Sequence, residues 1–234
     1  MITIARVRAT VTQSLLGGTA LLPQRLLRLA AGLILFGVSV GLMLRARLGL
    51  GPWDVFHQGL ATHTGLPFGS VVIAVSALVL LLWIPLRQRP GLGTLANALT
   101  VGLIVEATLA VLPTPSSLIL RLVLLVTGIL ATGVATGLYI GAGMGPGPRD
   151  GLMTGLAQRG YSIRVVRTGI ELFVLAVGWA LGGTVGVGTV LYACGIGPLV
   201  HIFLPRLTVR TPPIRLEHGT RPLSQGCSSV EVSQ

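Results

Sequence analysis

The chain contains no lysine. All seventeen of its basic residues are arginines, set against six acidic residues, for a net charge of +11. Charged residues make up only 10% of the 234, while 52% are hydrophobic. A soluble domain carries about 25% charged residues, so this shortage excludes an ordinary water-soluble fold. Cysteine is nearly absent too. Cys194 lies in an apolar run and Cys227 in a polar stretch. Two such positions offer neither a disulfide framework nor metal-ligand spacing. Cys194 reads as a small buried hydrophobe. No phosphate-binding glycine loop, His-Glu-x-x-His pair or nucleophile elbow occurs, so nothing points to an enzyme, a metal or a cofactor. The arginines sit at the edges of apolar runs rather than on one basic face, which argues against nucleic acid. What remains is an integral membrane protein whose first partner is the lipid bilayer.

Six stretches are apolar enough to cross it: 26–44, 66–86, 92–112, 118–140, 165–181 and 186–205. Each meets the requirement of about 17–25 apolar residues. Gly182-Gly183 divides the last two, and Pro113 and Pro115 break the chain between the third and fourth. Segments 53–64 and 149–161 are too short and too polar to be clear crossings. They read as half-helices, re-entrant or lying at the interface. Residues 1–25 read as a cytoplasmic lead-in, and 207–234 as a disordered polar cytoplasmic tail.

The chain also says one thing twice. Gly49-Leu50-Gly51-Pro52-Trp53-Asp54 returns ninety-six residues later as Gly145-Pro146-Gly147-Pro148-Arg149-Asp150. Gly32, Gly37 and Gly41 return as Gly128, Gly133 and Gly137, and Gly91-Leu92-Gly93-Thr94 as Gly186-Val187-Gly188-Thr189. Two membrane units follow, 26–112 and 118–206, joined by a loop at 113–117. Three crossings per unit is an odd number, so the second unit must lie upside down. With both termini in the cytoplasm, fourteen arginines fall inside and three (Arg45, Arg47 and Arg121) outside. That is the positive-inside bias. Were the two short segments also to cross, the split would be twelve against five. The expected fold is all-α: six transmembrane helices as 3+3 inverted repeats, with a short half-helix in each.

The doubled Gly-x-Gly-Pro-x-Asp motif, each time after a glycine-striped helix, resembles the YitT/YczE-like bacterial membrane proteins. The resemblance covers about 26–206. It implies a small polytopic inner-membrane protein, with transport as a common guess at its role. The soluble C-terminal domain of some YitT-type relatives is missing from this sequence.

Asp54 and Asp150 are the leading site candidates. Each opens a short helix, and aspartate is a good N-cap. Equally, two broken helices facing a shared cavity would place both carboxylates at a binding site. His57, three residues past Asp54, can join it. Gly49, Gly51, Pro52, Gly145, Gly147 and Pro148 supply the backbone turns. Glu106 and His201 occupy matching positions in the last crossings and suggest a proton relay, or else a structural hydrogen bond. Arg164, Arg167 and Glu171 share one helical face, with Arg167 and Glu171 spaced to pair. They suggest an anion site at the cavity mouth, or a cytoplasmic anchor. Trp53, Trp83, Trp179 and Tyr192 read as interface or packing aromatics. The expected function is a permease for a small polar solute. The alternative is a non-transporting membrane scaffold, in which the same groups would be capped and packed with no cavity.

Overall fold

The computed structural model describes residues 21–209. Among these residues there are eight helices and no strand. They are α1 (Leu22–Ala46), α2 (Pro52–Thr64), α3 (Phe68–Leu86), α4 (Leu92–Val111), α5 (Leu118–Gly141), α6 (Pro148–Ala157), α7 (Ile163–Ala180) and α8 (Val187–Leu207). Helix α1 begins inside the expected lead-in, and α8 ends at the first residue of the expected tail. The remainder of both segments, 1–20 and 210–234, lies outside the described residues.

Five helices are long and apolar enough to cross a membrane: α1, α3, α4, α5 and α8. The sixth expected crossing falls on α7, whose 18 residues include Arg164, Arg167 and Glu171. Helix α7 has no apolar stretch of spanning length clear of those charges, whereas α1 carries Arg25, Arg28 and Arg45 toward its ends. Helices α2 and α6 have 13 and 10 residues. At 1.5 Å per residue neither can cross a hydrocarbon core of about 30 Å.

The centre is the pair α1 and α5, which cross at their small residues. A side chain at Gly32 would strike the backbone of Tyr139, and one at Gly128 would strike Met43. Gly37 and Gly41 bring α4 against α1, and Gly133 and Gly137 bring α8 against α5. Small residues let helices approach where lipid supplies no hydrophobic drive. Met43, Val105, Leu125 and Ala142 fill this inner core. A second core joins α2, α3, α6 and α7 through Trp53, Val75, Trp83, Leu152, Met153 and Val174. Outward-facing Leu81, Ile84, Leu103, Ile119 and Phe173 remain exposed. Apolar surface on that scale marks a lipid-facing protein.

The two short helices are seated by cross-connections. Before α2, Gly188 donates its backbone N–H to Leu48 O at 2.7 Å, and Leu50 donates to Thr189 Oγ1 at 3.2 Å. Before α6, Gly93 donates to Met144 O at 2.8 Å, and Thr94 Oγ1 donates to Pro146 O at 2.7 Å. Each turn thus rests on the start of a distant helix, α8 or α4. Both turns need glycine for the same reason: Gly49 and Gly145 each have φ +114°. L-residues avoid that conformation.

Candidate functional site

Helices α2 and α6 begin alike. Gly51 and Gly147 are the N-caps, and Pro52 and Pro148 follow as the first helical residues, where a missing N–H costs nothing. The aspartates are therefore not caps, contrary to one of the two readings above. Asp54 and Asp150 stand at the third helical position, and neither helix start has a side-chain cap. Glycine caps through its extended backbone, so the carboxylates are free to point elsewhere. Both still gain from the positive end of the helix dipole.

They meet across a cavity of about 120 Å³ between the two helix starts. Asp54 and Trp53 line it from α2, and Arg149, Asp150 and Met153 from α6. Tyr139 and Thr136 come from α5, Asn97 from α4, Arg167 and Glu171 from α7, and Tyr192 from α8. An apolar cavity of about 150 Å³ accepts a benzene-sized ligand, so this one is sized for a small solute or a few waters.

The charges are arranged in pairs. Asp54 is 2% exposed, and its Oδ1 lies 3.5 Å from Arg149 Nη2 and 3.6 Å from His57 Nδ1. The Arg149 guanidinium also sits 5.6 Å from the centroid of the Trp53 ring, within cation–π range. Burial works against a charged Asp54, yet Arg149 and the His57 ring hold its pKa below the ordinary carboxylate value. Burial pushes the His57 pKa down, against the pull of Asp54. Near neutral pH the cluster is thus an ionised carboxylate beside a neutral imidazole and a guanidinium. On the other side, Tyr139 Oη donates to Asp150 Oδ2 at 2.6 Å. Arg167 Nε donates to Glu171 Oε1 at 2.9 Å, as the spacing predicts.

The remaining candidates separate from the cavity. His57 stands behind Asp54, 1% exposed, with its ring among Trp53, Phe56 and Phe68. Arg164 is exposed and does not line the cavity. Glu106 takes the structural alternative: its Oε1 accepts the N–H of Gly69 at 2.6 Å, in the first turn of α3. His201 is exposed on α8, and no hydrogen bond or ion pair joins it to Glu106. The imagined proton relay is not assembled. Cys194 is exposed rather than buried, because α8 turns most of its surface outward. Trp83 is a packing aromatic, buried, with Nε1 donating to Pro148 O at 3.1 Å, whereas Trp179 is 68% exposed. Among the described residues no three His, Cys, Asp or Glu side chains gather as metal ligands.

Besides Trp53, Thr136 and Met153, sequence reasoning missed Arg149, Tyr139, Asn97 and Tyr192 as cavity residues. Arg149 stood inside the doubled motif, in the position of Trp53, but was counted only as a topology charge. Tyr139 ends the glycine stripe of α5 eleven residues before Asp150. Asn97 and Tyr192 carry no signal short of the fold itself.

The comparisons with known proteins agree with a membrane assignment. The chain is 42% identical to an uncharacterized protein of Haemophilus influenzae over 186 residues, covering 79% of this chain and 85% of that one. It is 34% identical over 179 residues to the uncharacterized membrane protein YczE of Bacillus subtilis, covering 75% and 83%. It is 28% identical over 181 residues to the uncharacterized protein YyaS of the same organism, covering 74% and 89%. No solved structure matches. This is a membrane protein, and because residues 23–205 match the model of the family of unknown function DUF6198, the chain belongs to that family.

Proposed function

We propose that the protein is a secondary permease for a small polar solute, with the solute held between Asp54 and Asp150. The observation that carries this reading is the cavity itself. It is built where two broken helices begin, and it is lined by ionisable groups from α2, α6 and α7. Such groups are expensive inside a membrane protein and mark solute or ion paths. Transporters of several folds bind substrate at discontinuous helices between structural repeats. A scaffold needs no such cavity.

The architecture that goes with this function has six crossings in two inverted units, with α2 and α6 as half-helices. Several contacts support it. Arg28 Nη1 donates to Leu207 O at 2.6 Å, so the start of α1 and the end of α8 share one side. Arg121 Nε donates to Ala46 O at 2.7 Å, and Arg45 Nη1 to Thr114 Oγ1 at 2.9 Å, on the opposite side. Helix α7 then runs between the sides: Gln88 Nε2 donates to Gln158 Oε1 before it, and Thr184 N donates to Gln58 Oε1 after it. The equal φ of Gly49 and Gly145 and the reciprocal seating of their turns suit two related units. The arginine bias puts both termini in the cytoplasm and the protein in the cytoplasmic membrane.

Two experiments test the proposal. Reporter fusions at Gln88 and at the C-terminus should read cytoplasm, and one at Thr114 should read the outside. A cytoplasmic signal at Thr114 would sink the topology. Flux of a panel of small polar solutes into proteoliposomes tests transport, and a panel with no flux in either direction would favour the scaffold.

A further inference from the structure

The charges around the cavity do not balance, and the imbalance falls on one residue. Three carboxylates line it (Asp54, Asp150 and Glu171) against two guanidinium groups, Arg149 and Arg167. Asp54 pairs with Arg149, and Glu171 with Arg167. Among the described residues Asp150 forms no ion pair, its one hydrogen-bond partner is the neutral Tyr139 hydroxyl, and the Arg167 guanidinium that feels its charge from farther off is already bonded to Glu171. A carboxylate drawn from water without a counter-charge of its own is costly. We infer that the cavity takes a small organic cation, a primary ammonium compound, with Asp150 as its counter-ion. This rests on reading the cavity as a solute site.

Three further features narrow the class. The space of about 120 Å³ limits the ligand to a few non-hydrogen atoms. Among the described residues the buried indole N–H of Trp53, which lines the cavity beside the Tyr192 hydroxyl and the Asn97 amide, has no acceptor. A ligand therefore gains by carrying an oxygen acceptor beside its ammonium group. That acceptor should be neutral. Both guanidinium groups are already paired, so a carboxylate on the ligand would restore the imbalance that the ammonium removes. A short amino alcohol fits these demands better than an amino acid. Tyr139 then acts as a positioning residue, fixing Asp150 Oδ2 and leaving Oδ1 for the ammonium.

The test is binding rather than flux, so that it can fail apart from the permease reading. Full-length protein in lipid nanodiscs is titrated calorimetrically with ethanolamine, and with ethylene glycol as its uncharged counterpart. Ethanolamine should bind and ethylene glycol should not. Asp150→Asn should weaken ethanolamine binding roughly 10- to 100-fold, the loss of one charge-assisted hydrogen bond. Asp150→Glu should retain most of it. Tyr139→Phe should weaken it less than Asp150→Asn does. Equal binding of both probes, binding of neither, or an Asp150→Asn variant that binds like the parent would each overturn the inference. If Asp150→Asn does not fold, the two-probe comparison on the unaltered protein still decides. Binding without flux would keep the cation site and remove the permease. Flux of neutral solutes untouched by Asp150→Asn would do the reverse.

Discussion

Asp54 and Asp150 follow the same five-residue lead, Gly-x-Gly-Pro-x, and reach opposite circumstances. Asp54 is 2% exposed and has two basic neighbours, Arg149 and the ring of His57. Asp150 is half-buried and has only a phenol. The difference traces to the residues around an unchanged backbone. At the position before the aspartate, one motif has Trp53 and the other Arg149. Arg149 crosses to the other helix start: its guanidinium lies over the Trp53 indole and reaches Asp54. The second motif supplies the charge that pairs with the first and leaves its own carboxylate with a hydroxyl partner instead of an ion pair. Duplicated backbone geometry therefore does not imply duplicated chemistry.

The sharpest way to break the comparison is to remove the shared arginine. Arg149→Met should strand Asp54 as a buried charge and destabilise the protein by about 3–5 kcal/mol, the usual cost of removing one partner of a buried pair. Thermal or denaturant melts in detergent check this. Arg149 is 22% exposed at its side chain, which places the loss toward the low end of that range. A variant as stable as the parent would show that the pair carries no structural weight. The two turns, by contrast, should respond alike. Gly49→Ala and Gly145→Ala each put a side chain at φ +114° and within 2.8 Å of a threonine hydroxyl, Thr189 or Thr94. Each should cost about 1–3 kcal/mol. If only one is sensitive, the two turns are not doing the same job.

Acidity separates the motifs in another way. His57 has a lowered pKa, so the unfolded chain takes up a proton as pH falls through the ordinary histidine value of 6.5 while the folded chain resists. Stability should then fall as pH drops below that value. Asp54 also has a lowered pKa, and its contribution is fully present above 3.8 and lost as pH falls from there toward its folded value. Melting temperature followed against pH should therefore decline on the acid side. His57→Gln should flatten the upper part of that decline, and an unchanged profile would remove His57 from the account.

Much of this organisation was legible in the chain. Composition dictated the membrane, proline and glycine punctuation dictated most helix ends, and the doubled motif located both helix starts and their aspartates. What escaped depended on distance. Nothing local says that Arg149 faces Trp53 rather than headgroups, or that Tyr192, forty-two residues beyond Asp150, completes the same cavity. Glu106 and His201 show the converse failure. Matching positions along the sequence suggested a pair, but α4 packs its carboxylate against the start of α3 while α8 turns its imidazole outward. The capping assignment failed for a subtler reason. A proline at the first helical position makes the preceding glycine the cap and moves the aspartate three places inward.

The smallest expected effect is on stability, and it sharpens the contrast most. In Asp150→Asn the amide oxygen can still accept the Tyr139 hydroxyl, and no ion pair is lost because none exists. The fold should change by less than about 1 kcal/mol, since a neutral hydrogen bond is worth only that much. In Asp54→Asn the same isosteric change leaves Arg149 without its carboxylate in a buried setting, and the loss should be clearly larger. Melts of the two variants side by side supply the measurement. Equal losses would mean that burial alone, rather than pairing, distinguishes the two aspartates. A large loss at Asp150 alone would mean that its carboxylate already has a counter-charge within the protein, and the cavity would then have no vacancy for a cation to fill.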